Sequence, residues 1–483
     1  MAPTNQRTKN AIKWSAIEKY SVQALQFVIS IILARLLGPS DYGLIAMVLV
    51  VVNLFSIINE TGLGASLLQK LDRDELDFSS VFISNIILGI ILYLIVFFSS
   101  PFISIFFNQP ELTILIRVVG TTLIINSFLV VQRTKLLIDL DFKTQALASL
   151  PALIISGTLA ILAALKGLGV WALVIQITIS ALINLILIWF LVKWHPKLNF
   201  SLKRIRPLFQ FAYKLVLARF INTIFNQVYT AIIGKAFTAS QLGFYNRANN
   251  LKNISSNNIT GVIQRVSTPM LCEAQKSNAQ MKDVLMKFIG STALLVFPLL
   301  FGVFILAKPL IIILLTEKWL QAYPILQMLC PVGILFVINT FNMNVFNATG
   351  NTGMALKNEV WKKIIAICII IISLHYGFKA LIASQIIIAF IELFFNTYYT
   401  KKQIGLTLWL QLWSLKGVLS ASLIMALIVF FITSFIQNEL IKLVVGFFVG
   451  VISYGVLCWV FNVKYFRNYF NLYIERIIIH FKS

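Results

Sequence analysis

Apolar runs of about twenty residues, enough to cross bilayer hydrocarbon as a helix, recur from one end of this chain to the other. Fourteen can be separated, at residues 14–37, 42–68, 79–98, 112–131, 147–165, 170–192, 208–237, 248–270, 284–306, 323–347, 358–375, 378–399, 413–436 and 440–461, with a short interfacial piece at 101–107. Soluble domains carry roughly 25% charged residues. This chain of 483 residues carries 12%, against 59% hydrophobic. No water-soluble core of that length absorbs so much apolar side chain, so the expected fold class is an all-α membrane protein of about fourteen transmembrane helices.

The net charge is +23. In a soluble protein such an excess suggests nucleic acid, but here it follows the positive-inside rule. With a cytoplasmic N-terminus, the inner loops and tail hold Lys193, Lys197, Lys203, Arg204, Arg206, Arg476 and Lys482, among others. Outer connections hold few cations, such as Lys166, Lys308, Lys318, Lys379 and Lys442. Both termini are therefore expected in the cytoplasm, and no nucleic-acid partner is expected. The basic stretch 1–13 leads into a retained first helix rather than a removed signal.

A weak echo runs through the chain at an offset of 200 residues: Lys19 with Arg219, Arg35 with Lys235, Ser40 with Ser240, Gly43 with Gly243, Asn53 with Asn253. Apolar helices also match by chance. With six helices on each side, the echo suggests parallel repeats. The expected division is an N-lobe at 1–192, a cytoplasmic linker at 193–207, a C-lobe at 208–400, and helices thirteen and fourteen with a basic tail at 401–483.

Charges inside spans cost roughly 2.5–3.5 kcal/mol each on insertion scales and mark functional candidates. The deep ones are Glu60, Arg117, Lys214, Arg219, Lys252 and Glu392. Arg219 is followed by Asn222 and Asn226, which share a face at i and i+4. Lys252, Asn253 and Asn257, and then Asn339, Asn342 and Asn344, form similar polar groups. Arg35 and Lys235 sit at outer helix ends. Together these side chains either line a polar cavity or bond helix to helix. Cations and amides suit an anionic, sugar-bearing ligand, because phosphate pairs with fixed cations and amides serve hydroxyls. Glu60, Glu392 and Glu18 are candidates for proton or sodium coupling, with a salt bridge as the alternative for Glu60 and Glu392 and snorkelling at a helix end for Glu18.

Other chemistry finds little support. The four cysteines form no CxxC pair, and the three histidines have no metal-ligand spacing, so no metal site is expected. The acidic run Asp72, Asp74, Glu75, Asp77 reads either as a metal cluster or as a solvated loop. A phosphate-cradling GxxxxGK[ST] loop is missing, so no cofactor and no ATP site is expected. Pro269, Pro298 and Pro331 are candidate kinks.

Several stretches resemble one family. They are Ile32-Leu33-Ala34-Arg35-Leu36-Leu37-Gly38-Pro39-Ser40-Asp41-Tyr42-Gly43, Thr61-Gly62-Leu63-Gly64-Ala65, Gln132-Arg133 through Asp141-Phe142-Lys143, Leu242-Gly243-Phe244-Tyr245-Asn246-Arg247-Ala248, and Lys318-Trp319 before Ala322-Tyr323-Pro324. These resemble the WzxC-like polysaccharide transporters of the multidrug/oligosaccharidyl-lipid/polysaccharide flippase superfamily. Phe237-Thr238-Ala239-Ser240-Gln241 departs from that pattern by lacking a glycine before Ser240. The resemblance implies two six-helix lobes around a central cavity plus two C-terminal helices. It also implies alternating access in a bacterial inner membrane and a cargo of undecaprenyl-diphosphate-linked oligosaccharide. No ion-coupling residue transfers. The chain is expected to be a monomer and no enzyme, working beside a polysaccharide polymerase and chain-length proteins. The alternatives are an ion-coupled exporter of drugs or small molecules, and a membrane polymerase or glycosyltransferase.

Overall fold

A computed structural model describes residues 5–197 and 199–467, so Arg476 and Lys482 of the basic tail lie outside the described residues. Every regular element among the described residues is helical. The chain forms two compact units, Met1–Asn246 and Arg247–Ser483.

The first unit holds α1 (Asn5–Leu36), α2 (Pro39–Thr61), α3 (Leu63–Gln69), α4 (Glu75–Phe107), α5 (Leu112–Ser127), α6 (Val130–Ile138), α7 (Phe142–Leu165), α8 (Trp171–Leu191) and α9 (Leu202–Ala236). Helix α10 (Ala239–Glu273) continues from the first unit into the second. The second unit adds α11 (Asn278–Ile305), α12 (Ala307–Leu315), α13 (Ala322–Ala348), α14 (Thr352–His375), α15 (Phe378–Ile404), α16 (Leu408–Ser434) and α17 (Glu439–Val460).

Small residues set the approach of these helices. In the first unit α1 lies along α7, where Gly157 leaves room for Ile29; a Cβ there would stand 2.4 Å from Ile29 Cδ1. Helices α3, α4, α6 and α9 meet in a core built on Leu63, Leu67, Phe78, Phe82, Val131 and Leu208. In the second unit α11 packs on α13 and α16, and α13 on α15. There Gly290 accepts the ring of Tyr465 against its backbone. Burial raises the Tyr465 phenol above its ordinary range, opposed by a hydrogen bond with Ser414.

Eleven of the described helices are long and apolar enough to cross a membrane, twelve if α5 and α6, bent by 44°, form one span. The chain is a multi-pass membrane protein. The expectation of fourteen also counts α10 and α14, which have the length but not the apolarity. At 1.5 Å per residue, the 35 residues of α10 reach about 52 Å. Helix α10 is rich in asparagine and serine, and α14 carries Lys357, Glu359, Lys362 and Lys363.

Residues 101–107 are not a separate interfacial piece, because α4 runs unbroken through Pro101 to Phe107. Proline denies the carbonyl four residues back its helical donor. Ser100 Oγ takes over that task, donating to Phe97 O at 2.7 Å. The same oxygen accepts from Arg117 Nε at 3.0 Å, and the Arg117 guanidinium lies 4.2 Å from the Phe97 ring centroid.

At its other end α4 explains the acidic run. Asp74 Oδ1 accepts from Asp77 N at 2.9 Å and Asp77 Oδ2 from Asp74 N at 3.0 Å, a reciprocal cap. Lys70 pairs with Asp77 at 2.5 Å and Arg204 with Asp74 at 2.9 Å. Trp194 Nε1 donates to Glu75. These groups fasten the segment after α8 to the start of α4, and no group of metal-ligating side chains is gathered among the described residues.

Candidate functional site

The first unit contains a cavity of about 280 Å³ with a polar wall. Glu60 enters it from the last turn of α2, Asn126 from α5, Arg133 and Thr134 from α6, and Arg219 from α9. Gly64, Ala65 and Leu68 of α3 form one side.

Backbone breaks place these groups. Gly62 separates α2 from α3, and a Cβ on it would stand 3.4 Å from Val216 Cγ2, so α9 passes close by. At Gly64 a Cβ would stand 2.9 Å from Val130 Cγ1 and 3.1 Å from Thr134 Oγ1, which brings α3 down on α6. The bend between α5 and α6 turns Arg133 inward, where its Nη2 donates to Asn184 Oδ1 at 3.2 Å. The Arg133 charge acts on the carboxylates of both Glu60 and Glu18. From sequence alone Arg133 reads as an inner-loop cation between the fourth and fifth spans. The polar stretch Gln132-Arg133-Thr134-Lys135, with apolar residues on both sides, carries no sign of a helix turned into the bundle.

Arg219, Asn222 and Asn226 form one stripe of α9, and all three are exposed. At 100° per residue Lys214 lies about 140° around the helix from Arg219, so the structure separates it from that stripe; its Nζ is 6.0 Å from the Tyr213 ring. Arg117 is held at the Pro101 break. Arg35 ends α1 and Lys235 ends α9, with Lys235 Nζ 5.0 Å from the Phe106 ring. Beyond these two ends lies a reciprocal contact. A Cβ on Gly43 would stand 1.8 Å from Ala239 O, and one on Gly243 would stand 1.9 Å from Pro39 O. Pro39 and Ala239, like Gly43 and Gly243, are 200 residues apart. The echo in the sequence is thus matched by a paired contact in space.

The second unit treats its candidates differently. Lys252 is 9% exposed, with its stem against Gly333. Asn253 Oδ1 is buried without a hydrogen-bond partner among the described residues, and Asn257 Oδ1 accepts from Ser256 Oγ at 3.0 Å. Asn342 and Gln411, both fully buried, exchange amide hydrogen bonds of 2.8 and 3.1 Å and tie α13 to α16. Asn344 Oδ1 accepts from Gln264 Nε2 at 2.9 Å.

Glu392 stands one turn before Asn396 on α15 and feels Lys362, Lys363 and Glu359. Lys362, only 4% exposed, donates to Asn396 Oδ1 at 3.0 Å and to Glu359. Asn396 also accepts from Asn358 at 2.9 Å and donates to Asn339 at 3.3 Å. Away from this network, a groove of about 610 Å³ between α11, α12, α16 and α17 is lined by Leu299, Leu306, Val429, Phe447, Val451 and similar apolar side chains.

Comparison with known proteins agrees with this architecture. A family model described as "Polysaccharide biosynthesis protein" matches residues 32–324. The succinoglycan biosynthesis transport protein ExoT of Rhizobium meliloti (strain 1021) is 27% identical over 335 residues, 69% of this chain and 68% of that protein. The lipopolysaccharide biosynthesis protein WzxC of Escherichia coli (strain K12) is 25% identical over 369 residues, 76% of this chain and 75% of that one. Among solved structures, the lipid II flippase MurJ in an inward closed conformation superposes with a TM-score of 0.73 at 15% identity, over 95% of this chain and 100% of that one.

Proposed function

The chain belongs to the polysaccharide biosynthesis protein family, and from that premise we propose that it flips a lipid-linked oligosaccharide from the cytoplasmic to the outer leaflet. It is a transporter and not an enzyme. The observation that carries the cargo assignment is the pair of guanidiniums, Arg133 and Arg219, on the wall of one small cavity inside a membrane bundle. Arginine holds phosphate oxygens through two parallel N–H bonds, so a diphosphate is the fitting headgroup. Asn126 in the cavity and Asn222 and Asn226 along α9 offer amides to sugar hydroxyls.

The carrier is a polyprenyl chain, undecaprenyl in a bacterial inner membrane. The apolar groove of about 610 Å³ in the second unit supports a hydrocarbon ligand in general, since its lining offers almost no polar contact. The cycle is alternating access without ATP. An anionic headgroup moving outward gains roughly 2.3 kcal/mol per charge per 100 mV of membrane potential. The flipped saccharide is then handed to a polymerase and its chain-length partners. Relatives such as ExoT and WzxC, named for succinoglycan transport and lipopolysaccharide biosynthesis, favour this reading over export of drugs.

Deletion followed by mass spectrometry of membrane extracts tests it. A polyprenyl-diphosphate glycan should accumulate in the deleted strain, and Arg219→Ala, expressed at the normal level, should fail to clear it. An unchanged lipid-linked pool after deletion would overturn the proposal.

A further inference from the structure

The cavity in the first unit holds an anion as well as cations. Glu60 shares its wall with Arg133 and Arg219. Glu18 of α1 is not on that wall, although its charge acts on Arg133. The charged groups that face Glu60 are therefore Arg133 from α6, Arg219 from α9, and Glu18 from α1 through Arg133. Helices α3 and α5 contribute apolar groups and the neutral Asn126. On the wall itself two guanidiniums stand against one carboxylate, so two further negative charges are matched only if that carboxylate is neutralised.

A diphosphate diester brings two negative charges into that balance. Within a membrane protein, uncompensated charge is expensive, and like charges close together do not stay ionised together. We infer that Glu60 is the resident counter-anion of the Arg133–Arg219 site, and that an entering phosphate group displaces it and leaves it protonated. This rests on the flippase reading given above. Each headgroup then enters with one proton, taken from the cytoplasmic water as the O–H bond forms on the Glu60 carboxylate. No other covalent bond changes. The resulting carboxylic acid donates to a phosphate oxygen where the carboxylate would have repelled it. When the headgroup leaves, Glu60 gives its proton to water and returns as the counter-anion of the two guanidiniums. Glu60 is the group that exchanges because it lines the cavity, and Glu18 does not.

Calorimetry on the detergent-purified full chain tests this, with a short polyprenyl diphosphate bearing one neutral sugar as the probe. Titrations in buffers of different ionisation enthalpy count protons. The wild type should take up close to one proton per bound probe at pH 8, and its affinity should fall up to tenfold per pH unit above neutrality. Glu60→Gln should bind at least tenfold more tightly at pH 8, with no proton uptake and a flat pH profile. Glu18→Gln should still take up the proton. Probe binding without proton uptake in the wild type, or uptake surviving in Glu60→Gln, overturns the inference and leaves the flippase reading standing. No binding by the wild type, or full binding by an Arg133→Ala, Arg219→Ala double variant, overturns the diphosphate site itself. The wild-type proton count stands alone even where a variant fails to fold.

Discussion

A charged residue in a membrane helix is conspicuous in a sequence, but its partner is not. Arg117 is a candidate for a substrate cavity from its sequence position, and the fold sets it beside the turn of α4 that contains Pro101. The carbonyl orphaned by proline is taken by Ser100, and Ser100 is taken by Arg117. The Arg117 side chain thus helps carry α4 past its proline. Ser100→Ala should therefore cost about 1–3 kcal/mol, because it strands both the Phe97 carbonyl and the Arg117 Nε–H. Thermal unfolding of the purified protein in detergent would register the loss, and Ser100→Thr should recover most of it. Asp74 makes a second residue-level case. The Asp77 backbone N–H, and after it the Asp77 side chain, Arg204 and Lys70, hold its carboxyl below the ordinary carboxylate range. A depressed carboxylate stabilises the fold above the unfolded-state value near 3.9, and that contribution fades as pH falls through the lower folded value. The acid limb of a melting-temperature profile should accordingly be shallower in Asp74→Asn, which keeps the helix cap but not the charge. Arg133 fails in the opposite direction from Arg117. It looks like an ordinary loop cation because the bend that turns it inward is a property of the backbone between α5 and α6, which hydrophobic periodicity does not encode.

Elements were far more legible than partners. Apolar length alone locates most helices to within a turn or two, since the bilayer imposes it on the sequence. What it misses are breaks and continuations that depend on single side chains: Gly62 splitting α2 from α3, or Ser100 carrying α4 past proline. The 200-residue echo was ambiguous in sequence, because any two apolar helices share letters. It gains weight from the reciprocal fit of Gly43 on Ala239 and Gly243 on Pro39. Both approaches are backbone on backbone, so no flexible side chain can yield. Gly43→Ala and Gly243→Ala should each destabilise by about 1–3 kcal/mol, as overpacking does. Once one substitution has forced the helix starts apart, the second meets less resistance. The double variant should then cost clearly less than the sum of the singles. A double-mutant cycle on thermal unfolding measures that coupling, and strict additivity would mean the two glycines do not close the same contact.

For the molecule as a whole, the number of crossings decides what α10 and α14 are. Twelve described spans satisfy a bilayer on apolarity alone, counting the bent pair as one. The basic residues of the loops balance only if these two polar helices cross as well, because one missing crossing inverts every later loop. A helix carrying Asn249, Asn250, Lys252, Asn253, Asn257 and Asn258 cannot present all of them to hydrocarbon, where each polar group lacks a partner. Crossing is therefore compatible with its composition only if protein or water covers that face, which is what a translocation pathway requires. Single cysteines placed in a chain with Cys272, Cys330, Cys368 and Cys458 replaced would read this out through a membrane-impermeant thiol reagent applied to intact spheroplasts. His195→Cys, ahead of α9, should be protected. Gln275→Cys, just after α10, should be protected too if both α9 and α10 cross, and labelled if α10 stays on one side. Tyr376→Cys, after α14, should be labelled, since an odd number of crossings then separates it from the inner loop before α14. Labelling at position 275 would place the polar face of α10 outside the bilayer and remove it from any pathway. Protection there, with labelling at 376, requires a polar helix inside the membrane and hence an aqueous or protein-lined face for it to meet.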